Sequence, residues 1–227
     1  MSSRIFLLYA AIPLLLIGLS ACSSTRSTIV EDPTASTADS DEAIESLYWA
    51  RQDSAKMRYT QANVDFMTGM IGHHAQALVM SAFAPDNGAS PSIQTLAARI
   101  INAQNDEIAS MQQWLRDRNE AVPEVHISGS KLMIHGAGEH HMHMPGMLTD
   151  QQLSELEAAR GLEFDRLFLT FMIQHHKGAV TMVDDLFEQD GAGMDEQNFK
   201  IASDIHVDQI TEIARMEKML NALPEAQ

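Results

Sequence analysis

Cysteine is nearly absent from this chain, since Cys22 is the only one among 227 residues. A single cysteine excludes an intramolecular disulfide and a cage of thiolates around a metal ion. Its position close to the N-terminus leaves no cysteine nucleophile for catalysis in the rest of the chain. Any metal site must therefore use histidine, methionine or carboxylate side chains.

Several catalytic patterns are missing as well. No aspartate or glutamate stands three residues before a histidine, so the Glu-x-x-His element of di-iron carboxylate bundles is absent. The chain has no His-Glu-x-x-His, no Gly-x-Ser-x-Gly and no phosphate-binding glycine loop. No segment alternates convincingly between apolar and polar residues, so strands are not expected. The sequence predicts a helical binding protein rather than one built for catalysis.

Basic residues are scarce. The chain has 15 lysines and arginines against 31 aspartates and glutamates, which gives a formal net charge of −16 at pH 7. So acidic a surface argues against a nucleic-acid partner and favours cationic partners, although solubility is the commonest reason for a high net charge. Metal ions are the cationic partners that the rest of the sequence favours.

Residues 1–21 predict a secretory signal peptide. Arg4 precedes an apolar run from residue 5 to residue 19, which is shorter than the roughly 20 residues of a spanning helix. The ending Leu-Ser-Ala-Cys resembles a bacterial lipobox, which implies that Cys22 becomes the lipidated first residue of an exported protein anchored in the cell envelope and facing the periplasm. Ser23 in place of aspartate weakly favours the outer membrane. The alternative is an ordinary thiol in a cleaved peptide.

The remainder divides into a tether and a folded domain. Residues 22–40 are rich in Ser, Thr, Ala and Asp, which predicts a flexible tether. The domain at residues 41–227 contains a duplication, because residues 70–74 (Met-Ile-Gly-His-His) return at an offset of 102 as residues 172–176 (Met-Ile-Gln-His-His). Each copy is followed by a second shared segment, so the repeated unit is a pair of helices.

Turn and cap residues place the helices. We expect helices over residues 63–84 with Asn63 as cap, from Ser90 and Pro91 to before Pro123, over 162–189, and from Asp195 to 222, with shorter helices over 41–58 and 149–160. Repeat one spans about 63–120, repeat two about 150–222, and a Met/His-rich crossover at about 122–149 joins them. Two amphipathic helix pairs predict an all-α four-helix bundle with internal pseudo-twofold symmetry.

Histidine and methionine converge on one surface of each repeat, since residues three and four apart are neighbours on a helix. The candidate metal ligands of the repeats are Met70, His73, His74, Met80, Met172, His175, His176 and Met182. Thioether with imidazole suits Cu(I), and Ag(I) by the same softness, while Cu(II) would use the imidazoles with carboxylates or water. Alternatively the methionines fill the core. Glu107 and Glu212, with Gln104 and Gln209, could accept the second ring N–H of a ligand histidine, or belong to purely structural histidine–glutamate hydrogen bonds.

The crossover carries a further set of soft and borderline donors. They are Met133, His135, His140, His141, Met142, His143, Met144 and Met147. A segment of this composition either collects metal ions or forms a solvated tether that binds them weakly. His126 and His206 lie outside the repeated pattern and are expected to be structural or exposed.

The repeats resemble the bacterial domain of unknown function 305 family, within the ferritin-like helical-bundle group. The residues that carry the resemblance are Asp65, Phe66, Met67, Met70, Ile71, His73, His74, Ala77 and Met80, then Met144, Pro145, Gly146, Met147, Leu148, Gly161, Phe164, Asp165, Phe168, Met172, Ile173, His175, His176, Gly178, Ala179, Val180 and Met182. Gly72 and Gln174 stand where the family often has proline, and Val183 where it has alanine. The resemblance implies an exported bundle, and some family members are copper-binding periplasmic proteins linked to copper and silver resistance.

Three functions are compatible with this sequence. The leading one is a lipid-anchored protein that sequesters or chaperones Cu(I) or Ag(I), with copper-export or copper-handling proteins as partners. The second is a structural or interaction module whose histidine pairs form hydrogen bonds within the bundle. The third is a copper-dependent redox enzyme, which requires an open coordination position.

Overall fold

The computed structural model describes residues 37–136 and 144–224. The chain divides into two units, residues 1–43 and 44–227. Helix α1 covers Thr37–Lys56 and therefore begins within the segment expected to be a tether. In the described part of the chain, no helix is both long and apolar enough to cross a lipid bilayer.

Four long helices form the bundle of the second unit. They are α2 (Gln61–Ala82), α3 (Pro91–Asp117), α5 (Gly161–Phe187) and α6 (Glu196–Asn221), with the short α4 (Asp150–Ala158) before α5 and a 3₁₀ turn (Ala192–Met194) before α6. Helix α2 packs on α3 and α5 packs on α6, while α2 meets α5 and α3 meets α6. The all-α four-helix bundle expected from the duplication is confirmed.

Helices α2 and α5 form the centre of the bundle. Helix α2 is buried on nearly every face, which is the environment of a helix that is apolar all round. Met70 belongs to one apolar cluster, against which Met182 packs, and Met80 shares the other cluster with Met172. Since Met70 near the start of α2 lies with Met182 near the end of α5, and Met80 with Met172, the two helices run in opposite directions.

Apart from the early start of α1, the helix starts agree with the sequence except at α2. The backbone N–H of Thr60 donates to Asn63 Oδ1 at 2.8 Å, so Thr60 is the N-cap. The helix therefore begins about one turn earlier than expected, and Asn63 stands inside its first turn. Asn63 instead donates to the carbonyl of Ala192 at 2.9 Å, which ties α2 to the turn before α6. The expected caps at Ser90, Thr149 and Asp195 are confirmed.

Asp195 also anchors a buried polar network that joins α3 to α6. Its carboxylate accepts hydrogen bonds from Trp114 Nε1 at 3.0 Å, from the backbone N–H of Asn198 at 2.7 Å and from the guanidinium of Arg118. The guanidinium carbon lies 4.1 Å from the centre of the Trp114 ring. A buried ion pair with its remaining donors satisfied fixes one packing arrangement, and removing one partner is strongly destabilising.

The expectation that strands are absent is wrong. Strands β1 (Glu124–Ser128) and β2 (Lys131–His135) form an antiparallel hairpin in the first part of the Met/His crossover. The two residues between them include Gly129, whose φ of +60° suits a tight hairpin turn. Each strand has only five residues, too few for a clear alternating pattern among so many methionines and histidines. The hairpin is stabilised by the half-buried Leu132, which packs against the bundle core.

Candidate metal centre

The two histidine pairs meet at the middle of the bundle, where α2 and α5 cross. The His73 and His175 rings are in contact, with centroids 3.9 Å apart and planes tilted by 38°. The His176 ring lies 6.1 Å from that of His175. All four imidazoles, including that of His74, have no solvent-exposed surface. The duplication thus places both pairs in one buried cluster, which we call the histidine cluster.

The crossover fixes the tautomer of His73. Its Nε2 atom lies 3.0 Å from the carbonyl oxygen of Pro145. Because a carbonyl oxygen only accepts hydrogen bonds, Nε2 carries the hydrogen and the lone pair of the neutral ring is on Nδ1. Burial, with a smaller contribution from His74, lowers the pKa of His73 to about 3. His73 is therefore neutral at physiological pH, and Nδ1 has no hydrogen-bond partner.

Glutamates on the outer helices hold the second histidine of each pair. His74 Nε2 lies 2.6 Å from Glu107 Oε2, and His176 Nε2 lies 2.7 Å from Glu212 Oε2. The carboxylates accept these hydrogen bonds, which leaves Nδ1 of each histidine buried without a partner. The hydrogen bonds that the sequence suggested are present. Their role beside a metal ion stays a prediction.

Gln104 and Gln209 do not bond to the histidines. Both are buried, with 1% and 2% of their surface exposed. The amide nitrogen and oxygen of Gln104 and the amide oxygen of Gln209 have no hydrogen-bond partner. Their expected contact with a ring N–H is therefore not present in this structure.

His175 is the least satisfied member of the histidine cluster. Neither of its ring nitrogens has a hydrogen-bond partner of normal geometry. Burial lowers the pKa of His175 well below 6.5, and the neighbouring His73, His176 and His74 lower it further, while the nearby backbone of His73 acts in the opposite direction. With one unpartnered nitrogen on each of the other three histidines, five buried ring nitrogens lack partners. Nearly all buried polar groups in proteins are hydrogen-bonded, so five unpartnered ring nitrogens in one cluster require an explanation.

A short segment from Met144 to Leu148 covers one side of the histidine cluster. Gln76 on α2 holds it by two hydrogen bonds to the backbone of Leu148, of 3.0 and 2.7 Å. Gly146, at a φ of +75°, lies against Gly178 of α5, where a methyl group would overlap the carbonyl of Pro145. Two glycines therefore permit the backbone contact that brings this carbonyl to His73. Neither Gln76 nor the Pro145 carbonyl was predicted from the sequence to be part of the site.

The candidate methionines of the repeats lie in the apolar core that α2 and α5 share. Met70, Met80 and Met172 are fully buried, while Met182 is half-buried. A methyl group placed at Gly69 would lie 3.2 Å from the sulfur of Met144 and 3.4 Å from the terminal carbon of Met182, so both side chains lie beside the same glycine. Met144 is thus a crossover methionine that lies against α2.

The other crossover candidates are distributed differently. Met133 and His135 lie on β2 and are exposed, and Met133 and Met147 line a cavity of about 460 Å³ between the hairpin and α4. His140, His141, Met142 and His143 lie outside the described residues. Within residues 37–136 and 144–224, no three His, Cys, Asp or Glu side chains are grouped as they would need to be to hold a metal ion.

An acidic cleft of about 220 Å³ lies outside the histidine cluster, between α3 and α6. Its lining includes Glu107 and Glu212, the carboxylates that hold the histidines, together with Asp208, Arg99, Gln104 and Gln209. Burial raises the pKa of Asp208, and the neighbouring Glu107 and Glu212 raise it further. Since the side chains of Glu107 and Glu212 are 17% and 22% exposed, they connect solvent with the buried imidazoles.

Comparison with known proteins gives a family and a fold. Residues 63–220 match a family described as a domain of unknown function (DUF305). The crystal structure of a DUF305 fragment from Deinococcus radiodurans is similar at a TM-score of 0.60 and 28% sequence identity, over 73% of this chain and 99% of that one. An uncharacterized protein of Acanthamoeba polyphaga mimivirus is 39% identical over 62 residues, or 26% of this chain. This chain matches only 41% of that protein's length.

Two further structures of similar fold contain copper. CopM in its Cu(I)-bound form matches at a TM-score of 0.50 and 27% identity, over 70% of this chain and 95% of that one. CopM in its Cu(II)-bound form matches at a TM-score of 0.50 and 29% identity, over 69% of this chain and 93% of that one. The similarity connects the fold of this chain to a copper-related protein.

Proposed function

Because this chain belongs to the DUF305 family and is similar in fold to the copper-bound protein CopM, we propose that it binds Cu(I), and Ag(I) by the same chemistry. The ion is cargo, which the protein sequesters or passes to another protein. Neutral imidazole lone pairs and thioethers form a donor set that suits soft monovalent ions better than Mg²⁺, Ca²⁺ or Mn²⁺.

One observation carries the proposal: five ring nitrogens are buried in the histidine cluster without hydrogen-bond partners. An unpaired buried polar atom costs about 1 to 3 kcal/mol. A lone pair on a neutral imidazole can bind a metal ion. In His73, His74 and His176 the other ring nitrogen, Nε2, is held by a hydrogen bond to Pro145, Glu107 or Glu212, which fixes the orientation of the ring. This is the usual arrangement of metal-binding histidines.

A purely structural role for the histidines is the competing function. The hydrogen bonds of His73, His74 and His176 favour it, since each ties α2 or α5 to another part of the bundle. His175 does not fit this role, because it has no hydrogen bond at either nitrogen. A leucine there would satisfy a purely structural core better.

We place the protein in the bacterial cell envelope, with Cys22 lipidated and the bundle facing the periplasm. The support is the apolar run and the Leu-Ser-Ala-Cys sequence at residues 19–22. Copper-export or copper-handling proteins would be the partners there, and nucleic acid is not expected. Metabolic labelling with a fatty acid tests the anchor: wild type takes up label and Cys22→Ser does not, whereas equal labelling of both contradicts it.

Metal binding is tested by titrating the purified chain with Cu(I) against a competing chelator. We expect tight binding by wild type and the loss of the tightest equivalent when His73, His74, His175 and His176 are all replaced by alanine. His206→Ala is the matched control, because this histidine lies on α6 and pairs with Asp184 at 3.3 Å. Circular dichroism verifies that each variant is folded. Equal binding by wild type and the quadruple variant would refute the proposal.

The acidic cleft provides a route by which a cation reaches the buried imidazoles. Asp208 lines the cleft, and the hydrogen bonds of His74 and His176 go to Glu107 and Glu212 instead. Asp208→Asn therefore removes charge from the cleft and leaves those bonds in place. We expect slower uptake of Ag(I) at low ionic strength with little change in the equilibrium affinity, because steering by charge acts on the association rate. Asp106→Asn, on an exposed position of α3, is the control. An unchanged rate would exclude the cleft as the route.

A further inference from the structure

The β-hairpin carries a second group of soft and borderline donors, which the sequence pattern did not assemble. Its register places His126 opposite Met133 and Glu124 opposite His135. Residues paired across two strands share a face of the sheet, and residues two apart along a strand share it as well. All four side chains therefore lie on one face of the hairpin. Two come from β1 and two from β2.

The distances on this face suit a shared ion. The centroids of the His126 and His135 rings are 5.5 Å apart and their planes are inclined by 62°. A metal ion lies about 2.0 to 2.1 Å from a ligating imidazole nitrogen, so two rings on one ion have centroids roughly 5 to 6 Å apart. Met133 stands across from His126 with 49% of its surface exposed. The register and the ring spacing therefore place two imidazoles and one thioether within reach of a common ion on this face.

We propose that His126, His135 and Met133 form a second metal site on the outer face of the hairpin, and that it takes Cu(I) or Ag(I). Within residues 37–136 and 144–224, His and carboxylate side chains alone make no group suited to a metal ion, so the thioether completes this site. Two imidazoles and a thioether favour a soft monovalent ion over a hard divalent one. Glu124, whose carboxylate lies 3.8 Å from His126 Nε2, adds negative charge beside it.

This site differs from the histidine cluster in its accessibility. The side chain of His126 is 57% exposed, so the hairpin site loads and unloads without opening the bundle. An exposed site of this kind suits the exchange of ions with another protein. The hairpin site uses none of the buried histidines, so the test of this site is independent of the test for metal binding inside the bundle.

The test uses the full chain with His140, His141 and His143 replaced by alanine and Met142 by leucine, so that only the described His and Met donors of the crossover remain. Ag(I) is added while the imidazole nitrogens and the methionine methyl groups are followed by nuclear magnetic resonance. We expect the signals of His126, His135 and the Met133 methyl group to shift together by two equivalents, since the histidine cluster takes the tightest one. His126→Ala and Met133→Leu should each weaken this binding at least tenfold.

The controls separate this site from the others. Met133→Leu removes the sulfur and keeps an apolar side chain, so a folded hairpin is retained. His206→Ala, on α6, should leave the hairpin signals unchanged. Unshifted His126 and His135 signals at two equivalents of Ag(I), or equal affinity of the hairpin in wild type and Met133→Leu, would overturn the inference. If Ag(I) binds at the hairpin and not at the histidine cluster, the inference stands and only the proposed metal binding inside the bundle is overturned.

Discussion

Replacing His175 by leucine should stabilise the metal-free protein and weaken metal binding at the same time. His175 is fully buried, and neither ring nitrogen has a hydrogen-bond partner. Leaving a buried polar group unsatisfied costs about 1 to 3 kcal/mol, which leucine removes. The contact with the His73 ring at 3.9 Å is lost in exchange, and such ring pairs contribute about 0.5 to 1.5 kcal/mol.

The net gain in the unfolding free energy of the metal-free protein is therefore about 1 kcal/mol. For a domain of this size, about 1 kcal/mol corresponds to a rise of roughly 2 to 4 °C in the melting temperature. Urea unfolding in the presence of a strong chelator measures it. His206→Leu is the matched control, because this side chain is only partly buried on α6, and its effect should stay within about 0.5 kcal/mol.

The same two variants are then unfolded with Ag(I). A ligand that binds only the native state at about 100 times its Kd stabilises it by about 2.7 kcal/mol, and wild type and His206→Leu should both gain this. His175→Leu should gain clearly less. A loss of more than about 1 kcal/mol in the metal-free His175→Leu protein, together with an undiminished gain from Ag(I), would refute our reading of the histidine cluster.

The remaining predictions concern packing and pH. Gly178→Ala should lower the unfolding free energy measured in urea by about 2 to 4 kcal/mol, because the backbone at Pro145 and Gly146 fills the space that the added methyl group needs. Gly193→Ala, where nothing lies within 4 Å, should change the unfolding free energy little. Equal effects of the two substitutions would contradict the contact at Gly178. Arg118→Met should lower the unfolding free energy by about 3 to 5 kcal/mol, because Asp195 is then buried without its counter-charge. Adding Asp195→Asn should recover part of that loss. If the double variant recovers nothing, the unpaired charge is not the cause. The pKa of His73 falls from 6.5 to about 3 on folding, so the unfolding free energy is unaffected by the titration of this residue above pH 6.5 and declines by about 1.4 kcal/mol per pH unit as pH falls from 6.5 toward 3. Urea unfolding at pH 7.5, 6 and 5 measures this slope. An unfolding free energy that does not change with pH would contradict the prediction.

The duplication made the bundle predictable. Residues 70–74 and 172–176 repeat at one offset, and helical spacing with caps such as Ser90 and Asp195 placed the four long helices close to their observed bounds. The hairpin at 124–135 escaped prediction, because its strands of five residues each are defined by pairing with one another and by packing of Leu132 on the bundle. Local sequence carries little of that information.

The candidate site was predictable in its members and not in its arrangement. Helical spacing selected the histidine pairs. The second shared segment that follows each pair in the chain suggested Glu107 and Glu212 as their partners. No local pattern pointed to the Pro145 carbonyl, because its contact with His73 depends on Gln76 and on the close approach of the backbone at Gly178. These contacts connect residues that are far apart in the chain.

By itself, the sequence determined which donors this protein has. One cysteine, no Glu-x-x-His and two repeated Met/His helices leave imidazole and thioether as the metal-binding chemistry. Only the tertiary structure decided which nitrogens are free, because a hydrogen bond from one ring nitrogen sets the tautomer and leaves the other with the lone pair. That choice depends on partners brought from other helices and from the crossover. His175, with no such partner on either side, is the residue that the fold distinguishes and the sequence could not.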